Sequence, residues 1–118
     1  MKGKICIVDH DLADRGFLRE CLEGDGHEVA TLNSGIEIKN YIAENLFKIF
    51  IINLDTPGVQ KKDLLLQIRK NKHTRVLLVV SRREDSFLQE AITMGVYGFI
   101  HKPFNPEEVC TMVNHLTR

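Results

Sequence analysis

Three short runs, ICIV at residues 5–8, IFII at 49–52 and VLLVV at 76–80, set the tightest limit on how this chain folds. Each is unbroken by a polar residue and rich in Ile and Val. A strand with one wet face alternates apolar and polar side chains. A strand that is apolar throughout needs cover on both sides, the condition of a parallel strand layered between helices. None of the runs approaches the length of a membrane span. Between them lie segments whose apolar residues recur at helical spacing.

Taken in order, KICIVD reads as a first strand, and Leu12, Phe17, Leu18, Cys21 and Leu22 form a helical stripe that Gly24 and Gly26 close. HEVATL is a second strand. Ser34 with Glu37 three residues on makes a capping box, which predicts a helix through Ile36, Ile38, Tyr41 and Ile42 with that stripe and Tyr41 facing the core. KIFIIN is a third strand, Asp63 to Asn71 a third helix, RVLLVVS a fourth strand, Glu84 to Met94 a fourth helix and YGFIHK a fifth strand. Asn105 as N-cap, Pro106 in the first turn and Glu108 at the third position open a last helix whose core face is Val109, Met112, Val113 and Leu116. No repeat, low-complexity tract or linker interrupts the alternation, so residues 1–118 read as one domain. The fold class is α/β: a (βα)5 doubly wound, five-stranded parallel sheet. Right-handed crossovers give the order 2-1-3-4-5, which places ligands at the carboxyl ends of strands one and three.

Sixteen basic residues balance sixteen acidic ones, so no net field favours nucleic acid or an anionic membrane as partner within these residues. The lysines Lys61, Lys62, Lys70 and Lys72, with Arg75, read as a solvated face. Cys6, Cys21 and Cys110 show neither C-x-x-C nor zinc spacing, and their odd number argues against a disulfide framework. The opening MKGKICIVDH is too briefly apolar for a signal peptide. The expectation is a soluble, cytoplasmic protein in a reducing compartment.

Chemistry belongs at the strand ends, where the chain puts Asp9, His10 and Asp11 after strand one, Asn53 after strand three, Ser81 after strand four and Lys102 after strand five. This set resembles the receiver domain of two-component response regulators, the chemotaxis-regulator-like family with a flavodoxin-like fold. The resemblance runs over the whole chain. MGVYGF followed by HKPF is its most specific element, matching the family's invariant lysine, the proline after it and, in Phe99 three positions before, its aromatic switch residue. Ser81 stands at the family's hydroxyl switch position. The resemblance implies a signal-transduction module of a phosphorelay, not an enzyme, with a phosphate-accepting aspartate ending strand three and two adjacent acids after strand one that hold magnesium.

Two positions depart from that pattern. Counting back from Pro57-Gly58 in the D-x-x-x-P-G arrangement puts Asn53 on the acceptor's place, and His10 occupies the second acid's place. A carboxamide offers no nucleophilic carboxylate oxygen. Magnesium prefers oxygen ligands, and each unit charge pair at about 4 Å is worth roughly 4 kcal/mol at an effective dielectric of about 20. Losing two carboxylates leaves Asp9 as a weak lone ligand, and the expectation is no cofactor. Lys102, without an acceptor, is expected to pair with Asp9. The sequence thus predicts a degenerate pseudo-receiver that works as a protein-interaction module independent of phosphorylation. By family behaviour the partner, which includes a second copy in a homodimer, meets the face of helix four, strand five and helix five, with Phe87, Tyr97 and Phe104 as aromatic anchors.

Alternatives stay beside these readings. Asp55, two residues past Asn53, is the alternative acceptor of an atypical active receiver, although the turn at Thr56 and Pro57 should aim its carboxylate elsewhere. His10 reads either as a metal ligand or, more simply, as a loop histidine. Asp11 reads as a helix cap before a ligand. Ser81 and Phe99 are either a working switch pair or inherited packing positions, and Arg82 and Arg83 replace the small residue that commonly follows the hydroxyl. A flavin or cobalamin carrier on the same scaffold is disfavoured. DHDLADRG places acids where a phosphate loop would be, and His10 is adjacent to Asp9 instead of at D-x-H spacing.

Overall fold

The apolar runs become the middle of a sheet. In the computed structural model, which describes residues 3–80 and 86–117, the strands are β1 (Lys4–Val8), β2 (Glu28–Leu32), β3 (Ile49–Asn53), β4 (Arg75–Val80) and β5 (Gly98–His101). They pair in parallel in the expected order β2-β1-β3-β4-β5. The helices are α1 (Leu12–Gly24), α2 (Ile38–Ala43), α3 (Lys61–Lys70), α4 (Ser86–Met94) and α5 (Pro106–Leu116). Among the described residues no helix is long and apolar enough to cross a membrane.

The two-residue period of the strands splits each apolar run between two cores. Cys6, Val8, Phe50, Ile52, Val76 and Leu78 pack with α2, α3 and α4 through Ile38, Ile42, Leu64, Leu65, Ile68, Phe87 and Ala91. Their neighbours Ile5, Ile7, Ile49, Ile51, Leu77 and Val79 pack with α1 and α5 through Leu18, Leu22, Val109 and Val113. All five residues of β3 are buried. At about 1.5–3 kcal/mol for each fully buried aliphatic side chain, this central strand alone holds its register firmly.

Several boundaries differ from the sequence expectation. The capping box at Ser34 and Glu37 does not form: α2 starts at Ile38, and Glu37 precedes it without a side-chain cap bond. Instead the Ser34 hydroxyl accepts from the Ile36 N–H at 3.2 Å and donates to the Pro57 carbonyl at 3.3 Å, and the Gly35 N–H donates to the same carbonyl at 2.8 Å. The loop before α2 is therefore committed to the loop after β3. A Cβ on Gly35 would lie 2.4 Å from the Val59 nitrogen, and Gly58 adopts φ +88° beside it. Ile36 is consequently 75% exposed, outside the core assigned to it, while Tyr41 is half-buried and stacks on Phe47. The stripe of α1 also divides. Leu18 and Leu22 face the sheet, Leu12 stands in solvent, and Phe17 stacks on Phe104. The third helix begins at Lys61, two residues earlier than expected. Ser81, Arg82, Arg83 and the expected start of the fourth helix at Glu84 lie outside the described residues.

Two stability effects follow. Gly16 is exposed inside α1 with nothing within 4 Å of a Cβ, so Gly16→Ala should raise unfolding free energy in urea by about 0.5–1 kcal/mol. Gly35→Ala, which forces two backbones apart, should lower it by about 1–3 kcal/mol. Cys6 is fully buried, and burial pushes its thiol up to about 12. The unfolded thiol ionises near about 8.5, so stability is complete below that pH and declines towards about pH 12 at up to about 1.4 kcal/mol per unit. Cys6→Ala should flatten this alkaline slope in pH-dependent urea titrations while lowering the neutral baseline.

Candidate functional site

β1 and β3 pair as far as Val8 with Ile52. The next residue on each strand, Asp9 and Asn53, therefore lie side by side at the carboxyl edge of the sheet. Both are buried, Asp9 completely. An ionised carboxylate without water needs donors. Asp9 Oδ1 accepts from the Asp11 N–H at 2.9 Å and from Asn53 Nδ2 at 3.1 Å. Asn53 Oδ1 in turn accepts from the Asp55 N–H at 3.0 Å. The carboxylate can only accept and the backbone N–H can only donate, so one orientation of the amide satisfies both. Arg15 Nη1 donates to the Asp9 carbonyl at 2.8 Å. Among the described residues Asp9 Oδ2 has no hydrogen-bond partner.

β5 delivers Lys102 to this edge, with its N–H donating to the Val80 carbonyl at 3.1 Å. The expected pairing with Asp9 is only a long one. Lys102 Nζ stands 3.8 Å from Asp9 Oδ2, and its short contact is Asp14 Oδ2 at 2.5 Å. Burial lowers the lysine's pKa, but the Asp14 hydrogen bond and the charges of Asp9, Asp14 and Asp11 outweigh this and hold it above the usual range. Asp14 and Arg15 are the site residues that sequence reasoning missed. The available signal was topological. The helices after β1 and β5 cover the same side of the sheet, so the first turn of α1 faces the residue that starts the loop into α5.

Asp11 caps α1 by accepting from the Asp14 N–H at 3.0 Å, and that bond holds its carboxyl below the usual range. His10 is half-exposed, with Nδ1 3.8 Å from Asp9 Oδ1. Asp55 is exposed in the turn. Phe99, on β5, packs partly buried against the core shared with α2, α3 and α4. Ser81 lies outside the described residues.

The donor set around Asp9 suits a hard dication poorly. It comprises one carboxylate, one half-exposed imidazole and an amide that turns its NH2 inward and commits its oxygen to a backbone N–H. Magnesium takes oxygen ligands in near-octahedral geometry. Among the described residues no three His, Cys, Asp or Glu side chains converge as a metal site.

The three aromatic residues assigned as anchors separate. Phe87 is buried in the core, with Lys61 Nζ 5.2 Å from its ring centre, because α4 turns it towards the sheet. Phe104 is half-buried in its stack on Phe17 at 5.9 Å. Tyr97 is 50% exposed, with the Arg75 guanidinium over its ring.

Residues 5–114 match the response regulator receiver domain family. The chain is 29% identical over 119 residues to a probable transcriptional regulator, ycf29, of Pyropia yezoensis, covering 98% of this chain and 54% of that protein. It is 27% identical to the transcriptional regulatory protein SrrA of Staphylococcus aureus, covering all of this chain and 49% of that one. The chain thus spans about half the length of these curated relatives. Among solved structures it resembles a putative response regulator from Chloroflexus aurantiacus, with TM-score 0.85, 28% identity and full coverage of both chains. It also shares its fold with the chemotaxis response regulator CheY4 of Vibrio cholerae, with TM-score 0.84, 23% identity, and 98% and 99% coverage. By sequence match along nearly its whole length and by the order of its strands, the chain belongs to the family of response regulator receiver domains of two-component systems.

Proposed function

We propose that this receiver domain signals through its folded surface, as a cytoplasmic protein-interaction module, and not through a phosphoryl group carried at the end of β3. The observation that carries this reading is the Asn53 amide donating to the buried Asp9 carboxylate. A carboxamide is not a nucleophile for phosphoryl transfer. Its NH2 also occupies the side of Asp9 where a cation would need an oxygen. The lysine that resembles the family's invariant one is held by Asp14.

What remains for communication is shape. Ile92 on α4 is 57% accessible and Tyr97, just before β5, is 50% accessible, and an exposed tyrosine is among the residue types that anchor interfaces. A protein partner, or a second copy of the chain, is the occupant this reading assigns. In a longer chain the output would come from a segment beyond these residues, as the greater length of the relatives named transcriptional regulators suggests.

Incubation with labelled acetyl phosphate and magnesium should leave the protein without acid-stable, base-labile label. Asn53→Asp is the matching gain-of-function control. Label on the native chain that disappears in Asp55→Asn would overturn the proposal in favour of an acceptor in the turn. A second measurement addresses the lysine. Asp14→Asn should cost about 1–2 kcal/mol at pH 7 by urea denaturation, since the ion pair is only partly shielded from water. Because the folded state raises the Lys102 pKa, this contribution is complete at neutral pH. It fades as pH rises past about 10.4 through the folded value, so the gap between the two proteins should narrow there.

A further inference from the structure

Beyond the carboxyl edge, α1 and α5 bring two cysteines together from positions 89 residues apart. Cys21 Sγ and Cys110 Sγ lie 3.3 Å from each other, and both residues are half-buried. Each also makes a long contact to a carbonyl, Cys21 to Pro106 at 3.6 Å and Cys110 to Cys21 at 3.8 Å. From this juxtaposition we infer that Cys21 and Cys110 form a reversible intrachain disulfide when the protein meets a hydroperoxide, covalently fastening α1 to α5.

The chemistry balances without a cofactor. One thiolate attacks a peroxide oxygen; an S–O bond forms, the O–O bond breaks, and the departing hydroxide leaves as water on taking a proton. The second sulfur then attacks the sulfenic sulfur; the S–S bond forms, the S–O bond breaks, and a second water leaves. Two thiols have given two electrons to one hydrogen peroxide. Closing to a bond of about 2.05 Å requires the sulfurs to approach by a little over ~1 Å, within the reach of side-chain rotation on two packed helices. Condensation within the pair outruns capture by another molecule because the partner sulfur is already in contact.

The third cysteine supplies an internal control. Cys6 sits in β1 with no exposed surface, and burial keeps its thiol protonated to about pH 12. Protonated and out of reach, it should neither react with peroxide nor exchange with the pair. A cytosolic disulfide of this kind is transient and responsive rather than structural, in keeping with an odd cysteine count and the absence of a disulfide framework. The inference does not depend on how Asn53 behaves, because the sulfurs and the amide occupy different parts of the fold.

The test uses the chain with its native sequence. After treatment of the reduced protein with a small excess of hydrogen peroxide, the thiol titre in denaturant should fall from three to one. Intact mass should drop by two hydrogens, peptide mapping should join Cys21 to Cys110, and dithiothreitol should restore all three thiols. Closing so long a loop should raise Tm by roughly 10 °C. Cys110→Ser should abolish both the mass loss and the Tm shift. Stepwise oxygen addition without cross-linking, covalent dimers, a bridge that includes Cys6, or an unchanged thiol titre would each overturn the inference.

Discussion

The carboxyl edge of the sheet depends on how one buried carboxylate is satisfied. Asp9 has no exposed surface, and just beyond the last β1–β3 pair its side-chain neighbour is residue 53. With a second carboxylate there, two like charges at about 3 Å would repel by roughly 5 kcal/mol at an effective dielectric of about 20, and a cation would be needed to hold them together. With Asn53 the same neighbour becomes a donor, and the Asp55 N–H closes the other end of the amide. The arrangement is neutral at that position, and both ends of the amide are hydrogen-bonded. The ammonium of Lys102 makes its short contact with the more accessible carboxylate of Asp14 and stands 3.8 Å from Asp9 Oδ2.

The Asp14 contact makes the lysine part of a seam. From the sheet edge downward, α1 and α5 with its leading loop meet through Asp14 and Lys102, then Phe17 and Phe104, then Cys21 and Cys110, and finally Asp25 with Asn114. The last contact is anchored beneath by His27, which is buried and pairs with Asn114 at 3.0 Å while accepting from the Gly3 N–H. The seam explains why the apolar stripe of α1 is divided. Leu18 and Leu22 belong to the sheet, whereas Phe17 and Cys21 belong to α5.

What could be read in the sequence follows the range of the forces involved. Strands covered on both faces write themselves as unbroken apolar runs, so β1, β3, β4 and the strand order were legible. The place of Asn53 was legible too, because four residues of spacing to Pro57 is a local count. The start of α2 was not. The Ser34–Glu37 pair is a sound local signal, but Gly35 packs against Gly58 and Val59, and that contact outcompetes a cap. The partner of Lys102 is 88 positions away, and only the shared side of α1 and α5 pointed to Asp14. Phe87 had the right character for a surface anchor and the wrong side of its helix, a matter of helical phase that composition does not carry.

A receiver changes its output by shifting between conformations, and a shift requires something that interacts differently with the two states. On the reading proposed above, a phosphoryl group at the end of β3 does not play that role. Two physical sources remain on this fold. On that reading a protein partner would select whichever arrangement of α4 and β5 fits it, and the inferred cross-link in the α1–α5 seam would select whichever arrangement of α5 keeps the sulfurs in contact. The two lie at opposite ends of β5. The strand places Lys102 against Asp14 at one end of the seam, and it begins next to Tyr97 on the exposed face. A cross-linked seam and a bound partner would therefore act at the two ends of one strand, which under the proposed reading is the route by which one event biases the other.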